Sequence, residues 1–447
     1  MNSKINLALS IGLSVFLWSC YPKNQNNIFN IIDFGAQGDS ITVNTLAIQK
    51  AIDACSAAGG GMVLFPKGKF TTGTLTLKSS IDYHFHPGAI LIGSARIEDY
   101  NAPAGENNIM LIAQQPQHET LRVLLDGTGV SNVSFSGQGI IEGNGKYFWD
   151  ENYTPSERPV PWISFRHAEN ITIRDLTFQN SPSHVIRFQK SSQITIDGIK
   201  IINDPRSPNT DGIDLVDSRN AFISNSFIST GDDAICLKTD AGGVVENIVV
   251  TNCILESDDA ALKFGTGSAG ITRFCTFNNI TINKSRYGVS LFMLEGGIFE
   301  MNSFSNLIIT KGSRHKQEYP IFIDVDKKRP HDEYGLINHI TFNNLIIRSG
   351  GKILINGRPE QPIRNLELSN IHFIVDQEVD FSQASKPRGN KNFPKLPESI
   401  DRSSVPAHVT LGYIDNLTMD NIKLLPDPVG KRKNIDFENV KISKRDF

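Results

Sequence analysis

The feature that most constrains the fold is a short segment that recurs along most of the chain. Each copy has the form Asn, apolar, x, apolar, x, Asn or Asp, apolar, x, apolar, as in residues 170–178. A repeat with a period in the twenties is typical of a solenoid, in which each unit packs against its neighbours. Copies start at Asn132, Asn170, Gln193, Asn220, Asn247, Phe274, Met301, His339, Asn365, Asn416 and Asn434, and the five from Gln193 to Met301 are spaced 27 residues apart.

The spacing of apolar residues within a copy predicts strands. Ile171 and Ile173, and then Leu176 and Phe178, alternate in twos with a corner between the pairs, which no helix matches. Short strands repeated about ten times predict a parallel β-helix, in which each turn pairs with the turn below it. The main alternative, a β-propeller, requires longer repeats with four strands in each.

A solenoid needs a cover over its first turn, because that turn otherwise exposes core and unpaired backbone. The segment from Thr45 to Ala58 has the apolar stripe of an amphipathic helix, and Gly59–Gly61 ends it. We therefore predict an N-terminal capping helix. Its inward residues are Ile48, Ala51, Ile52 and Cys55.

The first residues have the pattern of a targeting segment. Lys4 precedes an apolar run from Ile5 to Trp18 that has the length of a signal-peptide core and is too short to span a membrane. The run ends at Cys20, as in bacterial lipoproteins, although Trp18 departs from that pattern. We predict a signal peptide over 1–19, a lipid-modified Cys20, and a periplasmic or outer-membrane-anchored location. The alternative is an ordinary secretory signal.

Composition excludes some classes of protein. With 44 Lys and Arg against 47 Asp and Glu, the net charge of −3 does not suit a nucleic-acid binder. Five cysteines in 447 residues do not make a disulfide scaffold, and we expect Cys236, Cys253 and Cys275 to be buried thiols. The predicted β-helix domain spans 28–447, and we expect a monomer whose only membrane contact is the lipid on Cys20.

Acidic residues interrupt three consecutive repeats. They lie in segments 207–217, 229–238 and 257–263. Aligning these segments places Asp211, Asp233 and Asp259 in one column, with Asp232 and Asp258 beside it. Stacked strands are about 4.8 Å apart, and carboxylates that close raise one another's pKa, which a purely structural protein has little reason to accept.

Paired carboxylates on a rigid surface suit the cleavage of a glycosidic bond, which needs one protonated acid and one ionised carboxylate. Acidic turns also bind calcium, or are simply solvated. The spacing of the acids leaves these alternatives open.

Several segments resemble the polygalacturonase family, glycoside hydrolase family 28. The likeness covers most of the chain, and its most specific parts are Asn209–Asp211 and Gly231–Asp233, which are similar to the two acidic family motifs. Further similar segments are Ile31–Asp39, Asn44–Asp53, Gly59–Gly61, Ser136–Gly145 and Leu176–Pro182.

The resemblance implies a right-handed parallel β-helix and assigns roles to the acids. Asp232 would be the general acid, and Asp211 with Asp233 would activate the water, with inversion at the anomeric carbon. An inverting pair lies roughly 6.5–9.5 Å apart. The resemblance implies no metal and no cofactor, so calcium-dependent β-elimination is the weaker interpretation.

Two family motifs are missing. Where the family has Gly-His-Gly the chain has Asp258–Ala260, with Asp259 at the place of the histidine. Where the family has Arg-Ile-Lys, the matching segment Gly288–Phe292 supplies neither cation. Loss of that Arg and Lys removes the charge-assisted contact to a galacturonate carboxylate. Lys263, Lys238, Arg187 or Arg286 would substitute, or would be ordinary surface charges. The predicted substrate-binding residues are Asn209, Asp259, Lys263, His184 and Arg286.

The segment from Lys146 to Trp162 concentrates aromatic residues that would stack on sugars or pack under a loop, and Gly312–Tyr334 is expected to be a second loop on that side. We therefore predict an inverting glycoside hydrolase of a pectin-type polysaccharide, galacturonan or rhamnogalacturonan-like. The alternatives are a non-catalytic β-helix that binds carbohydrate and a hydrolase of a non-pectic glycan.

Overall fold

The computed structural model describes residues 27–102, 122–310, 312–385 and 396–445. The predicted signal peptide and Cys20 lie outside these ranges, so export and lipid attachment stay predictions. Within the described ranges, no helix is long and apolar enough to cross a membrane.

The described part of the chain contains one α-helix, α1 (Thr45–Ala57), three short 3-10 helices (Ile31–Phe34, Ile97–Asp99 and Gly145–Phe148) and 32 strands. In chain order the strands are β1 Ile28–Asn30, β2 Asp39–Val43, β3 Gly61–Phe65, β4 Gly68–Thr72, β5 Leu75–Thr76, β6 Ile81–Phe85, β7 Ala89–Gly93, β8 Leu125–Asp126, β9 Ser131–Gly137, β10 Ile140–Glu142, β11 Ile163–Arg166, β12 Glu169–Arg174, β13 Thr177–Gln179, β14 Ile186–Gln189, β15 Ser192–Asp197, β16 Lys200–Ile202, β17 Ile213–Val216, β18 Arg219–Ser224, β19 Phe227–Thr230, β20 Ile235–Thr239, β21 Val244–Ser257, β22 Ala260–Ser268, β23 Ile271–Arg273, β24 Thr276–Asn283, β25 Tyr287–Met293, β26 Ile298–Thr310, β27 Tyr319–Val325, β28 Leu336–Ser349, β29 Ile353–Asn356, β30 Ile363–Val375, β31 Ala407–Leu425 and β32 Lys433–Arg445.

The strands form one coil with three faces, and every strand pairing is parallel. The first face runs through β3, β6, β9, β12, β15 and β18 into β21, and the second through β4, β7, β10, β13, β16 and β19 into the end of β21. The third runs through β8, β11, β14, β17, β20, β22, β25, β27 and β29. The predicted right-handed parallel β-helix is confirmed.

The core is a stack of apolar side chains inside the coil. Ile171 pairs in register with Ile194, which pairs with Ala221 and then Ile248, and all four side chains are buried. Aromatic rings stack in the same way, as Phe277, Phe304 and Phe342 do with centroids 4.9 Å apart. Because the alternate residues of each strand point outward, polar side chains of the third face are free to form a site.

The repeated corner explains the frequency of asparagine. Asn220, Asn247 and Asn365 adopt left-handed backbone with φ of 55°, 57° and 50°, a conformation that Asn tolerates better than most residues. Their amides form a ladder, in which Nδ2 of Asn247 donates to Oδ1 of Asn220 at 2.9 Å. Every predicted repeat start has positive φ except Asn434, because in the last coil the left-handed residue is Asn439.

Helix α1 covers the first turns of the coil, as predicted. Its buried residues are Ile48, Ala51, Ile52 and Cys55, the stripe identified in the sequence. The helix contacts β1, β3 and β5, so it shields the end of the core from water.

Candidate active site

The acids lie in the turns that lead into the third face. Asp211 precedes β17, Asp232 and Asp233 precede β20, and Asp259 precedes β22. Since the strands that follow are paired in parallel, these turns stack on one edge of the coil. The strand register therefore decides which acids are neighbours.

The predicted column of Asp211, Asp233 and Asp259 is wrong at Asp259, by one residue. Ile213 pairs with Ile235, and Ile235 pairs with Leu262. Asp211 and Asp233 each precede the paired residue by two positions, whereas Asp259 precedes Leu262 by three. Asp259 therefore aligns with Asp232, because the register follows the buried apolar residues of the strands and not the acidic pairs.

Three carboxylates converge at this edge. One oxygen each of Asp211, Asp232 and Asp233 lies within 4.8 Å of the others. Asp211 and Asp233 are 3% and 2% exposed, whereas Asp232 is partly open to solvent. The closest oxygens are nearer than the roughly 6.5–9.5 Å expected for an inverting pair, although a single water could contact two of them.

Asp232 is the carboxyl group most suited to hold a proton. Burial raises its pKa well above the ordinary value, and the charges of Asp211, Asp233 and Asp259 raise it further. Nδ2 of Asn209 lies 3.4 Å from Oδ2 of Asp232. A partly exposed carboxylic acid of this kind can give a proton to a bound ligand.

Asp211 is held in the opposite state. Burial alone would raise its pKa, but the charges of His184 and Lys238 lower it well below its ordinary value. Nζ of Lys238 lies 2.9 Å from Oδ2 of Asp211, and Nε2 of His184 lies 3.4 Å from Oδ1. Asp211 is therefore the ionised member of the cluster.

A second buried ion pair involves Asp233. Nζ of Lys263 lies 2.8 Å from Oδ2 of Asp233 and 3.5 Å from Oδ2 of Asp259. Burial raises the pKa of Asp233 to about 7, while the charge of Lys263 opposes the rise. Arg286 approaches the other oxygen of Asp259 at 3.4 Å. Asp233 and Asp259 thus share the cations on the C-terminal side of the cluster.

Of the four cationic residues predicted as substitutes for the missing motif, three are buried or nearly buried against acids, and Arg286 is more open. Arg187 is buried 3.0 Å from Asp214, while Lys238 and Lys263 lie against the acids. His184 is buried with its Nε2 3.4 Å from Asp211, and its role in substrate binding stays a prediction. Arg286 is the most open of the group.

Two contributors to the site were missed in the sequence. Asp214 is fully buried and accepts hydrogen bonds from Lys238 at 2.9 Å and Arg187 at 3.0 Å. The signal was available, because Asp214 occupies an outward position of a strand three residues after Asp211. Arg158 donates to the carbonyls of Pro182 and Pro208 and to Oδ1 of Asn209. It lies in an irregular loop, where no periodicity indicates a role.

The aromatic segment is only partly a cleft wall. Trp149 and Tyr153 border a pocket of about 410 Å³, but Trp162 is completely buried in the core. The predicted loop Gly312–Tyr334 is also shorter than expected, because β27 occupies its centre. Arg314, in the remaining loop, donates to Asp258 at 2.8 Å.

The acidic cluster does not have the surroundings of a divalent-cation site. Two sets have suitable spacing, Asp211 with Asp232 and Asp233, and Asp211 with His184 and Asp214. However, the ammonium groups of Lys238 and Lys263 already lie within 3 Å of these carboxylates and would repel a metal ion. The calcium alternative therefore does not fit the residues present.

Parts of the chain are similar in sequence to curated proteins. A probable polygalacturonase of Vitis vinifera is 32% identical over 222 residues, 47% of this chain and 44% of the relative. An exo-poly-alpha-D-galacturonosidase of Dickeya chrysanthemi is 29% identical over 253 residues, 46% of this chain and 41% of the relative. The chain thus spans less than half the length of these curated relatives.

A solved structure and a family model extend the similarity to most of the chain. The hyperthermoactive exopolygalacturonase of Thermotoga maritima has a TM-score of 0.70 at 19% identity, covering 89% of this chain and 91% of that one, which supports the fold. The family model of glycosyl hydrolases family 28 matches residues 55–373, which include all the acids described above. The chain belongs to glycosyl hydrolases family 28.

Proposed function

We propose that the protein hydrolyses glycosidic bonds in a pectin-type polysaccharide that contains galacturonic acid. One observation carries the proposal: carboxylates within 4.8 Å of one another have opposite protonation tendencies, with Asp232 raised and Asp211 lowered in pKa. Glycoside hydrolysis requires such a protonated and ionised pair. The names of the curated relatives, which refer to galacturonan, support the choice of substrate.

In this proposal Asp232 donates a proton to the glycosidic oxygen as the bond to the anomeric carbon breaks. Asp211 accepts a proton from the water that attacks that carbon, and Asp233 helps to hold the water. The partial exposure of Asp232 and the ion pair that keeps Asp211 charged support these roles.

We further propose that the reaction inverts the anomeric configuration. In this arrangement Asp211 and Asp233 hold the attacking water and Asp232 protonates the leaving oxygen, the roles that the family resemblance implies; the closest oxygens of the three lie within 4.8 Å of one another. Proton NMR of the first product formed tests this directly. An α-linked substrate should give the β anomer before mutarotation, and an initial α anomer would refute inversion.

The cations at the site favour a substrate that is less acidic than plain polygalacturonan. Lys263 is neutralised by Asp233 and Asp259, and the guanidinium of Arg286 is directed to Asp259. Asp259 would oppose an added carboxylate that lacks its own cation. We therefore propose a rhamnogalacturonan-like glycan as the preferred substrate.

The test is product release from polygalacturonan, rhamnogalacturonan and neutral polysaccharides. The wild type is compared with Asp232→Asn, and with Asp53→Asn as a control, because Asp53 is an exposed carboxylate on the remote helix α1. We expect Asp232→Asn to lose at least about 100-fold in kcat, in line with the loss of a general acid, and the control to keep full activity. Glycan binding without cleavage by the wild type would instead indicate a carbohydrate-binding protein.

A further inference from the structure

A pocket of about 410 Å³ shares one wall with the acid cluster. The wall is segment 203–209, whose Ser207 faces the pocket while Asn209 contacts Asp232 at 3.4 Å. The backbone of Ser207 also lies directly against Gly231, the residue before Asp232. A chain bound at the acids therefore extends into this pocket within a short distance.

One side of the pocket is aromatic. Trp149 is partly buried, packs against the core and stacks on Tyr153 with ring centroids 6.3 Å apart and an angle of 22° between the planes. The hydroxyl of Tyr153 donates to Oδ2 of Asp204 at 2.7 Å, which fixes the ring. An aromatic face opposite hydrogen-bonding groups is typical of a site that binds a sugar ring.

The floor of the pocket contains an unused donor. Asn203 is 5% exposed, and its Oδ1 accepts a hydrogen bond from the backbone of Ser181 at 2.8 Å. Its Nδ2 has no hydrogen-bond partner among the described residues. A buried amide without a partner costs free energy, which a ligand oxygen or a bridging water would recover.

The charges around the pocket disfavour an acidic sugar. Glu142 accepts hydrogen bonds from Asn144 at 3.0 Å, Gln179 at 2.7 Å and Asn180 at 2.9 Å, all neutral donors. Among the described residues Glu142 has no ion pair, whereas the second lining acid, Asp204, lies 3.5 Å from Nε of Arg206, whose guanidinium also lies over the Tyr153 ring. Lys146 is the lining cation of the described part of the chain, and it lies exposed at the rim.

A uronate carboxylate in this pocket would face the carboxylate of Glu142, which has no ion pair among the described residues, and would compete with Asp204 for Arg206, which is unfavourable. The hydroxyl groups of a neutral sugar, by contrast, can donate to Glu142 and Asp204 and accept from Asn203. We propose that this pocket is a subsite for an uncharged sugar ring next to the scissile bond, so that the substrate contains neutral as well as acidic sugars. The proposal rests on the proposed function.

Binding to the Asp232→Asn variant tests the subsite without turnover. Isothermal titration calorimetry compares two hexasaccharides of equal length, one alternating rhamnose with galacturonate and one of galacturonate alone. Trp149→Ala removes the aromatic face, and Tyr147→Ala is the matched control, because Tyr147 is 58% exposed and does not line the pocket.

We expect the alternating hexasaccharide to bind more tightly, and Trp149→Ala to weaken it by roughly three- to tenfold, the effect of one lost aromatic contact. The control should leave the affinity unchanged. Glu142→Gln keeps an acceptor and removes the charge, so it should improve the affinity for the galacturonate hexasaccharide relative to the alternating one. This variant provides the second test of the subsite if Trp149→Ala does not fold.

Equal or tighter binding of the galacturonate hexasaccharide, no measurable binding of either, or equal effects of Trp149→Ala and Tyr147→Ala would overturn the subsite. The proposed function fails separately, if the wild type releases product from none of the glycans. Cleavage of polygalacturonan with no role for Trp149 would leave the hydrolase standing and refute only the neutral subsite.

Discussion

Asp211 and Asp232 are carboxylates of one cluster whose pKa values move in opposite directions because their neighbours differ. Asp211 lies between His184 and Lys238, whereas the nearest charges around Asp232 are other acids. A shared position on the fold is thus compatible with two chemical roles. Lys238 is nearly buried between Asp211 and Asp214, and its charge contributes to the difference in pKa between Asp211 and Asp232.

We predict that Lys238→Met shifts the acidic limb of the kcat/KM profile upward by about one pH unit or more, because loss of a nearby cation raises the pKa of Asp211. The groups that remain around Asp211 are the acids Asp214, Asp232 and Asp233 and the bases His184, Lys263 and Arg158. Lys238→Arg keeps the charge and should keep the wild-type profile. Lys284→Met, at an exposed lysine paired with Glu256, is the control, and an unchanged limb in Lys238→Met would contradict the prediction.

Ionisation of Asp232 should also reduce the stability of the folded protein as the pH rises. Its pKa in the folded state is raised above the unfolded value of about 3.9. Its contribution to stability is therefore fully present below that value and is lost as the pH rises through the folded pKa. We predict that Asp232→Asn has a higher melting temperature than the wild type at pH 8, with a smaller difference at pH 4.

Thermal unfolding at both pH values measures this effect, with Asp53→Asn as the exposed control. A melting temperature of Asp232→Asn below that of the wild type at pH 8 would show that the carboxylate stabilises the site. In that case the like-charge description of the cluster would be incorrect.

At this scale the sequence predicted the acids but not their partners. Asp211, Asp232 and Asp233 were recognised because they interrupt repeats and match family motifs. The roles of Arg158 and of the Lys238 ion pairs depend on which loop carbonyls and carboxylates meet across coils. Such contacts follow from tertiary packing, and no local periodicity encodes them.

At the scale of the element, the two-residue alternation predicted the strands well, because each short strand buries every second residue in the same core. The corners were also predictable where Asn marks them. The one-residue error at Asp259 arose in the alignment of the apolar residues, since Ile235 pairs with Leu262 and Asp259 therefore precedes its strand by one residue more than Asp233 does. Irregular loops such as 312–318 were beyond prediction, since their course depends on contacts with distant segments.

One corner of the coil has an unfavourable residue. Phe274 has φ of 55° and is 44% exposed, between Asn247 and Met301 in the ladder position. We predict that Phe274→Asn stabilises the protein by about 1 kcal/mol, because Asn tolerates left-handed backbone better. Its new amide could also donate to Oδ1 of Asn247. Chemical denaturation measures the change.

Phe222→Asn is the matched control for that substitution. Phe222 is also an exposed phenylalanine (56%), but it lies within strand β18 and has no positive φ. Asn is disfavoured within strands, so the control should lose stability or leave it unchanged. A gain in both variants would indicate that removal of an exposed aromatic ring, and not the backbone conformation, is responsible.

At the scale of the whole molecule, each coil contacts chiefly the coils before and after it. The N-terminal end is covered by α1, whereas in the last strand, β32, Ile435, Phe437, Val440 and Ile442 are only partly buried. In a solenoid the terminal units open first. We predict that amides of β32 exchange with deuterium much faster than those of β21.

Hydrogen exchange measured by mass spectrometry checks this gradient, with β3, beneath α1, as the covered end. Protection in β32 equal to that in β21 would indicate that the whole coil unfolds as one cooperative unit. The expected gradient would leave the acids intact while the C-terminal coils open.

The parallel register also has a consequence for how such proteins diversify. The acids come from turns of adjacent coils. Every remaining coil repeats the same parallel strand pairing with its neighbours. Gain or loss of one complete coil away from the acids would therefore change the groove length by about 4.8 Å and leave the catalytic geometry untouched. Insertion of a single residue within β17 or β20 would displace one acid against the next. Natural length variation should thus come in whole coils or in loops, so that the length of the surface along the coil and the geometry of the acids can evolve independently.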